Sequence, residues 1–94
     1  MIYIKAIHKK TKDEEVVNAR PMTEEEVQKM REAGMDVMIQ DELTTKSNIL
    51  MFDWIVANVY PEYNFGKVPY PDKLALARST FRLTYGLPEE TKNS

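Results

Sequence analysis

The longest apolar stretch of the chain constrains its fold most, because such a run must lie inside a folded domain. Ten of the twelve residues in Ile49–Tyr60 are apolar, and Asp53 and Asn58 are the exceptions. A helix that is apolar on nearly all sides is typical of a buried position, and Pro61 ends it. We therefore predict a central helix over this run, with Trp54 as the anchor of the core and Asp53 and Asn58 on an exposed strip.

Two short runs near the N terminus favour β-strands. Ile2–His8 is rich in β-branched and aromatic residues, and the charged segment Lys9–Glu14 separates it from Glu15–Arg20. A polar tip between two such runs is typical of a β-hairpin. Pro21 ends the second strand, because proline has no N–H to donate to a neighbouring strand.

The segment after this proline carries a helix start signal. Thr23 and Glu26 have the spacing of a capping box, in which each side chain accepts a hydrogen bond from the other residue's backbone N–H. Met22 and Val27 flank it as a hydrophobic staple, and Gly34 supplies a left-handed residue that ends the helix. We predict the first helix over Glu24–Ala33.

A third strand is predicted directly after this helix. Met35, Val37 and Ile39 alternate along the segment, which is strand spacing rather than helix spacing. A strand over Met35–Gln40 would return beside the first strand, because the intervening helix reverses the chain direction. The expected sheet is antiparallel with the first strand at its centre.

The C-terminal third is predicted to hold an ordered loop and a last helix. The loop, Pro61–Pro71, is held in place by aromatic side chains. The last helix starts at Pro71 and ends at Gly86, which Leu87 and Pro88 follow. The residues predicted to share its apolar face are Leu74, Ala77, Phe81 and Tyr85.

These elements predict an α+β fold in the order ββαβαα. It consists of an N-terminal β-hairpin, a third antiparallel strand and three α-helices. A chain of 94 residues has the usual size of one domain. We expect this single domain to cover residues 1–88 and a disordered C-terminal tail to cover residues 89–94.

Charge and cysteine content narrow the function classes. The 13 Lys and Arg residues against 15 Asp and Glu residues give a net charge of -2, which lacks the basic excess of non-specific nucleic-acid binding. The absence of cysteine excludes disulfides, thiolate zinc sites and a cysteine nucleophile. With no apolar segment long enough to span a bilayer, we expect a cytoplasmic protein that has no membrane partner.

No residue set predicts catalysis. His8 is the only histidine and lies beside Lys9 and Lys10, so we expect a surface residue at the end of a strand, without a chemical role. The acidic clusters lack the spacing of a calcium loop, and three glycines cannot form a phosphate-binding loop. We therefore expect no enzyme activity, no metal, no cofactor and no small-molecule substrate.

Two groups of residues are candidates for binding. The first is an aromatic patch for a protein partner or for self-association, consisting of Tyr60, Tyr63, Phe65 and Tyr70. The alternative is that these residues fill the core of a small domain. The second group could contact nucleic acid and consists of Lys9, Lys10, Lys12, Lys73, Arg78 and Arg82. The alternative interpretation is that these basic side chains belong to an ordinary solvated surface, because as many acidic residues lie nearby.

Three segments resemble one group of known proteins. They are Arg-Pro-Met-Thr-Glu-Glu-Glu at Arg20–Glu26, Met-Phe-Asp-Trp-Ile-Val at Met51–Val56, and Arg-Leu-Thr-Tyr-Gly at Arg82–Gly86. Across Ala19–Gly86 the chain resembles small morphogenesis proteins of tailed bacteriophages, nearest to the tail assembly chaperones. Those chaperones are largely helical. The resemblance implies a non-enzymatic protein that binds an extended helical partner, and it carries no catalytic residues.

The leading functional hypothesis is a non-enzymatic protein-interaction module that buries its aromatic and methionine side chains against a partner chain or a second copy. The alternative is a nucleic-acid-binding regulator that uses the hairpin lysines and the last helix.

Overall fold

The structure, a computed structural model, describes residues 3–35 and 45–86. In chain order the elements are β1 (Tyr3–His8), β2 (Glu14–Asn18), α1 (Glu24–Glu32), α2 (Thr45–Val59), β3 (Tyr63–Asn64) and α3 (Tyr70–Thr84). The predicted α+β class, with three antiparallel strands and three helices, is confirmed.

The sheet has the strand order β2-β1-β3, so the prediction of a central first strand is also confirmed. β1 pairs antiparallel with β2, and Ile4 lies opposite Val17. At the hairpin tip Lys12 has a φ of 65°, and its N–H donates to the His8 carbonyl at 2.9 Å. The left-handed residue lets the chain reverse within a short connection.

The third strand of this sheet is Tyr63–Asn64, which pairs with His8 and Ile7 of β1. This strand lies in the segment that was predicted to be a loop. The sequence did not indicate it, because two residues are too few to show the alternation typical of a strand. Apart from Met35, the strand predicted over Met35–Gln40 lies outside the described residues, and so does the predicted tail 89–94.

The ends of α1 follow the local sequence signals. Thr23 Oγ1 accepts from Glu26 N–H at 3.2 Å, and Glu26 Oε1 accepts from Thr23 N–H at 2.9 Å, so the predicted capping box is confirmed. After the last helical turn Gly34 has a φ of 84°. Its left-handed conformation ends the helix as predicted.

The core lies where α2 packs on α3 and α3 packs on β1. On α2 the residues Met51, Ile55 and Val59 are buried at a spacing of four, which places them on one strip of the helix. Trp54 is half-buried and packs against this core from its margin, because one residue along a helix is a rotation of about 100°. The prediction that Trp54 anchors the core is therefore wrong.

The buried strip of α3 also differs from the predicted one. Leu76, Ala77 and Thr80 have no exposed surface, whereas Phe81 and Tyr85 are half-buried. The rings of Phe81 and Tyr85 lie 4.9 Å apart between centroids, so they cover the edge of the core. Of the predicted face, Ala77 lies at the centre of the buried strip.

A chain of hydrogen bonds joins the end of β2 to both long helices. Arg20 N–H donates to the Tyr60 hydroxyl at 3.0 Å, which lies 2.6 Å from Thr80 Oγ1. Thr80 in turn donates to the Leu76 carbonyl at 2.9 Å. A threonine hydroxyl has one proton, so the hydroxyl of Tyr60 is the donor to Thr80. Every polar atom of this buried chain is satisfied.

The Arg20 side chain closes the same junction from outside. Its guanidinium donates to both carboxylate oxygens of Glu26, at 2.9 and 3.0 Å, and to the Val59 carbonyl at 3.0 Å. The last of these bonds caps the C-terminal end of α2. The hydrogen bond from Arg20 lowers the pKa of Glu26, with the Thr23 backbone N–H adding to the effect.

Candidate functional site

A cleft of about 220 Å³ lies between the N-terminal end of α3, the C-terminal half of α2 and the β3 segment. Its apolar lining consists of Val56, Ala57, Tyr60, Pro61, Tyr63 and Phe65. Its polar lining consists of Lys9, Asp53, Asn64 and Lys73. This cleft is the candidate site because it brings members of both predicted binding groups together.

The aromatic wall of the cleft is built by β3. The Tyr63 ring packs edge-on against Phe65, with centroids 6.4 Å apart, and edge-on against His8 at 5.4 Å. The Tyr63 hydroxyl donates to Glu15 Oε1 at 3.2 Å. Burial, together with the Glu15 carboxylate, raises the pKa of Tyr63. The wall is therefore held in one orientation by contacts to both other strands.

The cleft lining also contains an ion pair. Lys73 Nζ lies 3.1 Å from Asp53 Oδ1, and it lies 5.7 Å from the centroid of the Tyr70 ring, within cation–π range. The contact with Asp53 has ion-pair distance but lacks the angular geometry of a hydrogen bond. Sequence reasoning missed this pair, although Asp53 interrupts an apolar run, because its partner lies on another helix.

The hairpin tip places Lys9 at the cleft. Lys9 N–H donates to the Glu62 carbonyl at 2.9 Å, and its side chain is exposed. His8 Nδ1 accepts from the Lys10 N–H at 3.1 Å and from the Thr11 N–H at 3.4 Å. His8 is half-buried and is the last residue of β1, so the predicted position at the end of a strand is confirmed.

Among the predicted aromatic residues, Tyr60 differs from the rest. Only 4% of its surface is exposed, and its hydroxyl is used in the buried hydrogen-bond chain, so it forms the floor of the cleft. Tyr63 and Phe65 are half-buried in the wall. Tyr70 is 46% exposed beside Lys73. The predicted patch is therefore part core and part surface, which combines the two interpretations made from the sequence.

The predicted basic group is divided by the fold. Lys10 and Lys12 are exposed on the hairpin tip, while the cleft lining includes Lys9 and Lys73 and does not include Arg78 or Arg82. The two arginines are half-buried on α3. The lysine pair of the cleft is therefore the part of this group that the structure places beside the aromatic wall.

No helix within residues 3–35 and 45–86 has both the length and the apolar character needed to cross a bilayer. Within the same ranges, His, Asp and Glu side chains form no group of three or more that could hold a metal ion.

Neither a protein-family model, nor a curated protein, nor a solved structure matches the chain.

Proposed function

We propose that this protein is a non-enzymatic protein-interaction module whose cleft receives one or two side chains of a partner protein. The observation that carries the proposal is the placement of the Tyr63 and Phe65 rings beside Lys9 and Lys73. Aromatic side chains are enriched at the energetic centres of protein interfaces. Nearby lysines would favour a partner residue that carries a carboxylate.

The size of the cleft supports a protein partner. Its volume of about 220 Å³ is below the roughly 300–1,000 Å³ of most small-molecule and cofactor sites.

Charge reversal at two neighbouring lysines tests the proposal. Lys9→Glu places an acid in the cleft, whereas Lys10→Glu makes the same change of net charge at an exposed residue that is not part of the lining. Affinity capture from cells that naturally produce the protein should recover a stoichiometric protein partner with the wild type and with Lys10→Glu. We expect Lys9→Glu to lose this partner while its circular dichroism spectrum is unchanged.

The outcomes separate the two candidate functions. Loss of a captured nucleic acid, to a similar extent in both variants, would support the nucleic-acid-binding regulator, because phosphate attraction depends on net charge more than on position. The exposed Lys10 and Lys12 at the hairpin tip are the observation that favours this second function. Capture of the same protein at equal yield by all three chains would overturn the cleft proposal.

A role in phage morphogenesis is a further part of the proposal and rests on the resemblance of Ala19–Gly86 to tail assembly chaperones. Flanking tail or packaging genes would support it. A partner with a long helix, recovered in the same capture experiment, would agree with the partner type that the resemblance implies.

A further inference from the structure

On β2, which forms one edge of the sheet, a row of backbone groups points away from the neighbouring strand β1. His8 N–H donates to the Asp13 carbonyl at 2.9 Å, and the same register pairs Ala6 with Glu15 and Ile4 with Val17. Antiparallel strands exchange hydrogen bonds at every second residue pair. The N–H and C=O groups of the alternate residues on β2 therefore point outward, and these residues are Glu14, Val16 and Asn18.

This edge also exposes apolar side chains on the outer face of the sheet. Val16 is 49% exposed, and Tyr3, on the neighbouring strand, is 61% exposed. Val17 on the opposite face is buried in the core. No helix in the described ranges packs extensively on β2, since the sheet's main helix contact is between α3 and β1. An open strand edge with exposed apolar residues is a template for pairing with another strand.

We propose that β2 pairs antiparallel with β2 of a second copy of this chain, with Val16 opposite Val16 at the two-fold axis. Glu14 then lies opposite Asn18 on the outer face, and Glu15 lies opposite Val17 on the inner face. The two three-stranded sheets join into one of six strands. This contact is separate from the cleft and does not depend on the proposed function.

The charges of β2 select this register over its neighbours. Centring the pair on Glu15 would place two carboxylates directly opposite each other, which destabilises a strand pair. Centring it on Val17 would align only residues 16–18 of the strand. The Val16 register aligns all five residues of β2, opposes no like charges and uses every outward-facing backbone group. The strand is therefore self-complementary, which favours a second copy over an unrelated partner.

The short strand sets the strength of the dimer. Five paired residues span about 17 Å, and stable specific interfaces bury roughly 1,200–2,000 Å². Strand pairing of this length buries less, so the dimer is weak. We expect reversible dimerisation at concentrations from about 10 µM to about 1 mM in sedimentation velocity.

Cysteine trapping tests the register directly, because the chain contains no cysteine. In the proposed dimer the two Val16 Cα atoms form a hydrogen-bonded pair about 5.5 Å apart, within the range of about 4.4–6.8 Å that a disulfide spans. Val16→Cys should form covalent dimers rapidly under mild oxidation. Asn18→Cys, exposed on the same edge, is the control, because its two copies lie four residues apart along the strand. A mixture of Glu14→Cys and Asn18→Cys should form the mixed dimer in preference to either homodimer.

Val16→Lys supplies a second, non-covalent test. It places like charges opposite each other at the two-fold axis, and its side chain points to solvent, so the fold should be retained. We expect this variant to sediment as a monomer over the whole concentration range. A wild type that stays monomeric to about 1 mM, with Val16→Cys oxidising no faster than Asn18→Cys, would overturn the proposal. A dimer that persists in the Val16→Lys variant would also overturn the proposal, because self-association would then use another surface. That result would leave the cleft hypothesis unaffected.

Discussion

At the scale of single residues, the buried hydroxyls of Tyr60 and Thr80 connect three parts of the chain. They link the Arg20 backbone N–H to the Leu76 carbonyl through bonds of 3.0, 2.6 and 2.9 Å. A buried polar group left without its partner costs more than the bond itself contributes. The stability of this junction therefore depends on both hydroxyls being present.

We predict that Tyr60→Phe and Thr80→Val each lower the free energy of unfolding by about 1–3 kcal/mol. The double variant should lose less than the sum, because the second substitution removes the group that the first left unpaired. Urea unfolding of the three variants measures these changes. Tyr3→Phe removes a hydroxyl from a residue that is 61% exposed, so it should leave stability unchanged. Additive losses would show that the two hydroxyls do not interact.

The Glu26 carboxylate gives the second residue-scale prediction, on pH. Its pKa is lowered from 4.5 chiefly by the hydrogen bond from Arg20, so the folded state favours the charged form. Its contribution to stability is present above the ordinary pKa and is lost as the pH falls through the lowered folded pKa. Because the Arg20 side chain is 44% exposed, solvent screening limits this contribution to about 1 kcal/mol or less.

Glu26→Gln keeps the capping geometry and removes the charge. We expect it to be less stable than the wild type at about pH 7, and the difference should shrink towards zero as the pH falls through the lowered pKa of Glu26. Urea unfolding across this pH range measures the difference. Glu25→Gln is the matched control, since the Glu25 side chain is 78% exposed and should show little change. A difference that grows on acidification would contradict the assigned direction.

At the scale of elements, the helix ends and the hairpin are set by local chemistry. The capping box of α1 and the left-handed Gly34 together fix where that helix begins and ends. A Cβ added at Gly34 would meet no atom within 4 Å. Any cost of a side chain there arises from the backbone conformation alone.

We therefore predict that Gly34→Ala lowers the free energy of unfolding by about 1 kcal/mol, because alanine disfavours a positive φ. Gly34→Asn should cost less, since asparagine tolerates the left-handed region. Thermal unfolding followed by circular dichroism compares the two variants with the wild type. If alanine and asparagine were equally costly, the φ of 84° would not be the reason for glycine at this position.

At the scale of the whole molecule, stability is concentrated where α2 and α3 meet over β1. Ile55 and Leu76 have no exposed surface, whereas Trp54 packs at the margin of this core. Domains of this size are held together by roughly 5–15 kcal/mol. Removing a side chain from the centre of the core therefore removes a large part of this free energy of unfolding.

We predict that Leu76→Ala destabilises the protein by about 2–5 kcal/mol and that Trp54→Ala costs less, although tryptophan is the larger side chain. Denaturant unfolding of both variants tests this order. The native fluorescence of Trp54, the sole tryptophan, should lie between the emission of a buried and of a water-exposed indole. A larger loss from Trp54→Ala than from Leu76→Ala would return Trp54 to the centre of the core.

The sequence alone determined those features whose physical cause lies within a few neighbouring residues. The capping box at Thr23, the left-handed Gly34 and the charged hairpin tip are encoded by short-range hydrogen bonds and backbone preferences. The α+β class followed from the resulting order of elements.

Only the tertiary structure decided which strips of α2 and α3 are buried, because a run that is apolar on nearly all sides does not specify its own rotation. It also decided the pairing of Tyr63–Asn64 with β1, since a two-residue strand has no periodicity to read. The cleft depends on both of these features. Lys9 and Lys73 line the same cleft because long-range burial, rather than local sequence, brings the hairpin next to the start of the last helix.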